Sequence, residues 1–222
     1  MALRARRDAV AAWFDVHPRA LATLAAEVVV TMAERLDGEP GLRGQIAELR
    51  STAQRWELLA TTDALTGLAN RRAAEERLMH ECERASRYDH PLTLVIGDVD
   101  ELKRVNDTYG HRAGDMMLVE LSARLQRCVR AVDLVARWGG DEFVIICPET
   151  DAQAAAMVAE KLVRVCDEEV QVDRDRVRGG LSVGWATLRG TEVDPGRLVH
   201  AADEALYRSK QEGRGRATGS GS

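Results

Sequence analysis

The spacing of apolar residues changes character near residue 61. Before it, the chain is rich in Ala, Leu, Arg and Glu, and shows no strand-like alternation. A first helical stretch is expected to end near His17, because Pro18 disfavours helix in the residue before it. A second is expected from about Arg19 to Leu36, with Leu21, Leu24, Val28, Met32 and Leu36 on one face. "DGEPG" (37–41) reads as a turn. From Leu42, the positions Leu42, Ile46, Leu49, Ala53, Trp56 and Ala60 alternate spacings of four and three, which is a short heptad seam. Such a seam suits either a helical hairpin packed on its own domain or a dimerisation stalk, and the stalk is the expectation taken forward.

After Thr61 the period alternates between helix and strand. "TTDALTGLANRR" is a turn-rich junction that leads into an amphipathic helix to about Tyr88. "LTLVIGDVD" (92–100) is a strand, followed by a short helical turn, the segment "NDTYGHRAGD", and a long helix to about Val129 with Met117, Leu118, Leu121, Leu125 and Val129 on its apolar face. "DLVARW" and "FVIICP" flank the turn "GGDE" as a hairpin. A helix over 151–168, a strand "GGLSVGWATL" and a helix over 195–211 complete the order α-β-α-β-β-α-β-α. Helices and strands arranged around one internal hairpin predict an α/β (α+β) domain of ferredoxin-like, palm type. Its central, mostly antiparallel sheet is flanked by helices and preceded by the N-terminal helical, coiled-coil-like segment. The expected division is 1–60 as a dimerisation or regulatory segment, 61–216 as the palm-type domain, and 217–222, "ATGSGS", as a flexible tail.

The chain's 222 residues suffice for one such domain with a sizeable core. A formal net charge of −5 argues against a nucleic-acid binder that relies on a basic surface. Cys82, Cys128, Cys147 and Cys166 are widely spaced with no CxxC, so they read as buried thiols, not zinc ligands or disulfides. No apolar run approaches the roughly 18–20 residues that span a bilayer, and the N-terminus has no apolar signal region. The expectation is a cytoplasmic protein.

The candidate chemistry sits at strand ends. Asp98 closes an apolar strand, and Asp100 shares its face if the strand runs that far. Asp141 and Glu142 occupy the hairpin turn, which neighbours this strand in a palm-like sheet. A carboxylate ending a core strand is costly to desolvate unless a cation meets it. Acids converging from distant sequence are a recipe for Mg²⁺, a hard ion that takes oxygen ligands alongside phosphates. Gly139 and Gly140, lacking Cβ atoms, let the backbone approach a phosphate.

Four segments together resemble the GGDEF domain family, the diguanylate cyclases, over roughly 61–215. They are "DALTGLANRR" (63–72), with Ala69 where proline is more usual, "DVDELKRVNDTYGHRAGD" (98–115), "RWGGDEF" (137–143) and "ADEALYRSKQEGRGR" (202–216). The resemblance implies condensation of two GTP into cyclic di-GMP with release of two pyrophosphates. It implies Mg²⁺ (or Mn²⁺) held by Asp98, the Val99 carbonyl, Asp141 and Glu142, with Asp141 or Glu142 as the general base. Lys103, Gly139, Gly140, Lys210 and Arg214 fall at phosphate positions; Lys210 and Arg214 stand four apart at the end of the final helix. Leu102 stands where an aromatic is common. Asn106 and Asp115 match the guanine-reading positions, and His111 a position near substrate. Taken alone, Asp115 reads equally as a helix N-cap.

"RAVD" (130–133) stands at the family's spacing for a product-inhibition site, which implies that Arg130 and Asp133 bind cyclic di-GMP, with Lys161 or Arg164 as a further cation. Each domain of the family holds one GTP, so the resemblance implies a homodimer, here joined through the N-terminal helices. Two other readings stay open: a silent cyclic di-GMP receptor, and a cyclase making a hybrid cyclic dinucleotide.

Overall fold

The computed structural model describes residues 40–172 and 175–220. The two helices expected before residue 37 lie outside the described residues. The chain divides between Thr62 and Asp63 into two units.

In the first unit, helix α1 (Pro40–Thr61) carries the heptad seam. The expected turn over 37–41 is corrected at its end, since Pro40 and Gly41 are already helical; proline is tolerated in a first turn, where its missing N–H has no partner to lose. The helix closes with the Thr61 and Thr62 hydroxyls donating to the carbonyls of Glu57 and Leu58. Trp56 and Leu59, one turn apart, stay 61% and 62% exposed.

The second unit is built on a six-stranded sheet in the order β1-β3-β4-β2-β7-β8. Its strands are β1 (Ala69–Asn70), β2 (Pro91–Val99), β3 (Leu134–Arg137), β4 (Glu142–Pro148), β7 (Leu181–Arg189) and β8 (Ala217–Gly219). The three central pairings are antiparallel, and the two outermost, β1 with β3 and β7 with β8, are parallel. Helices α2 (Arg71–Tyr88) and α6 (Pro195–Gln211) cover one face, over Leu92, Leu94, Ile96, Val144 and Ile146. Helices α3 (Leu102–Tyr109), α4 (His111–Cys128) and α5 (Ala152–Cys166) contribute to the other core, with Val95, Val99, Phe143 and Ile145. Alternate residues of β2 thus feed two cores, which is why the strand reads as continuously apolar.

Caps fix the helix starts. Asn70, Asp151 and Asp194 each accept a hydrogen bond from a backbone N–H three residues on. Burial pushes the Cys82, Cys147 and Cys166 thiols up to about 12, as expected of packed cysteines; Cys128 is only half-buried.

Three features depart from the sequence pattern. A separate hairpin, β5 (Glu169–Val172) with β6 (Asp175–Arg178), was not anticipated. It is highly charged, and Arg124 of α4 fastens its base by donating to the carbonyls of Val165, Glu168 and Glu169. Residues 217–219 of the expected flexible tail are the edge strand β8, paired with Val183–Trp185. Finally, most of "NDTYGHRAGD" is helical, divided between α3 and α4.

Candidate active site

Three chain crossings bring the acids together. Asp98, at the end of β2, is the direct cross-strand partner of Glu142 at the start of β4 and of Ser182 on β7. The Val99 N–H donates to the Asp141 carbonyl at 3.0 Å, which ties the turn to the strand end. From the helix above, Lys210 Nζ lies 2.8 Å from Asp98 Oδ2. That approach depends on Gly184: a Cβ there would stand 2.1 Å from the Leu206 backbone nitrogen, so the bare strand lets α6 press down.

The local electrostatics are unbalanced. Burial raises the Asp98 carboxyl above its usual range; Lys210 opposes the shift, while Asp141 and Asp100 add to it. Burial likewise raises Glu142, reinforced by Asp98 and Asp141. Asp203 of α6, which the sequence reading did not single out, adds a further negative charge near Glu142.

The two glycines of the turn do different jobs. A Cβ on Gly139 would lie 2.9 Å from Glu142 Oε2, so this glycine makes room for the protein's own carboxylate. A Cβ on Gly140 would meet nothing within 4 Å, so packing does not demand that glycine. Arg137 props the turn, donating from Nη2 to the Gly140 carbonyl at 2.7 Å and from Nη1 to Asp63 Oδ1 at 3.1 Å. Burial pushes the Asp63 carboxyl up, but hydrogen bonds from Thr66 and Arg137 outweigh it and hold the group below its usual range. Arg71 stacks over Trp138, 4.8 Å from the ring centroid, on the other flank of Gly139. Sequence reasoning missed the Asp63–Arg137 pair. Asp63 carries a local signal, a carboxylate three residues before Thr66 in a turn, but its partner lies 74 residues away.

Asn106 packs directly on Gly114, the residue before Asp115, where a Cβ would stand 2.0 Å from Asn106 Oδ1. Asp115 lies inside α4, whose N-cap is Gly110, so the N-cap alternative for Asp115 is ruled out. Asp115 also lines a cleft of about 570 Å³ with Leu65, Arg112, Met116 and Gln171. His111, the first residue of α4, and Lys103, on α3, are both exposed. Arg214 is not at the end of the final helix: α6 stops at Gln211, and Arg214 sits in the loop beyond it with φ of 62°.

The RxxD segment closes on itself: the Arg130 N–H donates to Asp133 Oδ2 and the Asp133 N–H to the Arg130 carbonyl. Asp133 Oδ1 is buried without a hydrogen-bond partner. Both residues face a cleft of about 250 Å³ shared with Gly67–Ala69. Lys161 Nζ donates to the Cys128 carbonyl, two residues from Arg130.

The family model for "Diguanylate cyclase, GGDEF domain" matches residues 60–216. The chain belongs to the GGDEF domain family. It is 36% identical over 194 residues to the bifunctional diguanylate cyclase/cyclic di-GMP phosphodiesterase MucR of Pseudomonas aeruginosa, covering 86% of this chain and 28% of MucR. Among solved structures, the coiled coil and GGDEF domain of DgcB from Caulobacter crescentus, in complex with c-di-GMP, is 30% identical. It covers 85% of this chain and 99% of that one, with a TM-score of 0.76. The diguanylate cyclase SiaD from Pseudomonas aeruginosa, in complex with its activator SiaC, is 32% identical, covers 98% of this chain and 85% of that one, and gives a TM-score of 0.70. The chain spans about a third of the length of the curated relatives it matches, 28% of MucR and 36% of the response regulator PleD from Caulobacter vibrioides.

The donor set of this GGDEF domain suits a hard divalent cation, since the groups are carboxylates and a backbone carbonyl, and their mutual repulsion is what such an ion relieves. Among the described residues no three His, Cys, Asp or Glu side chains stand in ligating geometry. No described helix is long and apolar enough to cross a membrane.

Proposed function

We propose that this chain is a diguanylate cyclase that works as a homodimer, each domain holding one GTP. The observation that carries the reading is the excess of carboxylate at one sheet edge, where Asp98, Asp141 and Glu142 meet the single ammonium of Lys210. In each half-reaction the 3′-oxygen of one GTP bonds to the α-phosphorus of the other. The α–β phosphoanhydride bond breaks, pyrophosphate leaves with the electron pair, and the 3′-hydroxyl proton passes to a carboxylate. Asp141 is the acceptor assigned here, with Glu142 beside it. Asp98, the Val99 carbonyl, Asp141 and Glu142 would hold a divalent ion, Mg²⁺ or Mn²⁺, which would supply charge neutralisation of the triphosphate and acidify the attacking hydroxyl.

The other residues bind and orient. Gly140, with open space where a side chain would stand, admits phosphate. Lys210 and Arg214 provide cationic partners for the phosphates, and Lys103 a further one. Asn106 and Asp115 offer the acceptors and donor that match guanine N1–H, N2–H₂ and N3, a pattern adenine does not present. His111, exposed at the start of the helix that carries Asp115, is a further residue assigned to the substrate. The heptad seam, whose Trp56 is exposed beside Leu59, is the surface through which two chains pair, holding the half-sites at high effective concentration. A regulatory partner acting on residues 1–60 fits the same design; the similar SiaD is bound by an activator.

Cyclic di-GMP acts back at Arg130 and Asp133, with Lys161 as the further cation. The cleft of about 250 Å³ that both residues line supports this assignment.

The test is incubation of nucleotide-stripped protein with GTP and Mg²⁺, with ATP as competitor, and identification of products by mass. Cyclic di-GMP is the expected product. A mixed dinucleotide would remove the guanine assignment of Asp115. Absence of product from a dimeric, metal-supplied sample that still binds cyclic di-GMP would make the chain a receptor. Arg130→Ala is expected to weaken cyclic di-GMP binding by about 100-fold, as loss of a charge-assisted pair does, and to relieve product inhibition.

A further inference from the structure

The loop after α6, Glu212–Arg216, has the most unusual backbone near the acid edge. Gly213, Arg214 and Gly215 take φ of 115°, 62° and 58° in succession. Glycine accepts such values freely, whereas arginine does so only when its surroundings hold it there. Several hydrogen bonds hold this loop from its own ends. The Arg214 N–H donates to the Ser209 carbonyl, the Ser209 hydroxyl to the Arg216 carbonyl, and the Val183 N–H to the same carbonyl.

One further anchor comes from Asp100, the residue just past the strand that carries Asp98. Asp100 Oδ2 accepts from the Gly215 N–H at 3.1 Å, and Asp100 Oδ1 accepts from the Ser182 hydroxyl at 2.7 Å. Ser182 Oγ in turn accepts from the same Gly215 N–H at 3.2 Å. The Asp100 N–H donates to the Gly180 carbonyl at 3.0 Å, and a Cβ on Gly180 would stand only 3.1 Å from Asp100 Cβ. Strand β2 itself ends at Val99. Asp100 is therefore pinned by its own backbone, and both of its carboxylate oxygens are engaged by donors from two other elements.

We propose that Asp100 is a positioning residue that, with Ser182, clamps the Glu212–Arg216 loop and so fixes Arg214 relative to Asp98. The inference rests on the cyclase reading for the role of Arg214 toward phosphate. It separates the two aspartates of "DVD": Asp98 serves the nucleotide site directly, while Asp100 acts through the loop. A carboxylate suits the task because it accepts twice; Asn at this position places a donor against one of the two donors.

The test uses the full chain and two readouts. The first is the dissociation constant of α,β-methylene-GTP, which binds without releasing pyrophosphate. Asp100→Ala is expected to weaken binding by about 10-fold and Ser182→Ala by about 3-fold, as lost hydrogen bonds do. Neither is expected to add to the loss in an Arg214→Ala background, because both act through that residue. Losses that add in that background would overturn the inference, as would unchanged affinity in Asp100→Ala. The second readout is amide hydrogen exchange at 212–216. Asp100→Ala is expected to accelerate exchange at Gly215 by at least about 10-fold while the α4 and β4 amides keep their protection. Unchanged exchange at Gly215 would sink the clamp. Failure of the wild-type chain to make cyclic di-GMP would refute the cyclase reading and leave these two readouts to decide the clamp by themselves.

Discussion

The two ends of strand β2 treat charge in opposite ways. At the end near Pro91, Glu81 is buried, yet Arg77 Nε lies 3.0 Å from its Oε1 and Arg84 Nη1 lies 3.4 Å from its Oε2. Arg84 also pairs with Glu149. There, two acids meet two guanidinium groups. At the Asp98 end, Asp98, Asp141, Glu142 and Asp203 crowd one another while Lys210 meets Asp98, and burial together with mutual repulsion raises the Asp98 and Glu142 carboxyls. The first end is arranged for stability. The second holds an excess of negative charge, which is why it is the end proposed to receive a cation and a phosphorylated ligand.

The sharpest way to break this contrast is to neutralise an acid at the Asp98 end. Asp141→Asn is expected to lower cyclic di-GMP formation by at least about 100-fold, the scale of losing a positioned base, with the melting temperature unchanged. Product assayed by mass decides it, and near-normal synthesis would remove Asp141 from the chemistry. At the balanced end, Glu81→Ala removes the buried carboxylate that joins Arg77 to Arg84, leaving them the Val132 carbonyl and Glu149 as partners. The expected loss is about 2 kcal/mol, a fall in Tm of roughly 6 °C, with kcat retained; a thermal melt paired with the same product assay reads both.

Glu142→Gln sharpens the contrast through pH. The native carboxyl is raised above its unfolded value, so native Glu142 binds its proton more readily than the unfolded chain does. Wild-type protein therefore loses stability as pH climbs from the ordinary carboxylate value through the raised one, and the glutamine variant does not. Its Tm is expected to exceed wild type by about 2 °C at pH 7.5, with the advantage vanishing near pH 4. An advantage that grows in acid would contradict the assigned direction. The smallest expected effect is a rise in wild-type Tm of about 1 °C on adding millimolar Mg²⁺ without nucleotide, absent in Asp98→Asn. Equal responses in the two proteins would place the ion elsewhere.

Much of this was legible in one dimension. The final helix over 195–211 coincides with α6, the hairpin around the glycine pair with β3 and β4, and the apolar run before Asp98 with β2. Each is a local pattern repeated often enough to outweigh noise. The β5–β6 hairpin escaped because "EVQVDRDRVR" is too charged to signal burial, and its strands pair with each other away from the main sheet. Strand β8 escaped for a different reason. "ATG" has no pattern of its own and becomes a strand only because β7 offers it a free edge.

The site divides along the same line. Sequence alone determined the family, the helix that carries the heptad seam, and which residues recur at fixed motif spacing, because those rest on local order along the chain. Tertiary structure decided which carboxylates face one another and that Lys210 meets Asp98. It also decided that Arg137 joins Asp63 to the signature turn, and that Asp100 reaches across 115 residues to Gly215. Those are contacts between segments far apart in sequence; the Lys210–Asp98 distance, for one, is set by how closely α6 can approach a glycine on β7, which no local pattern encodes.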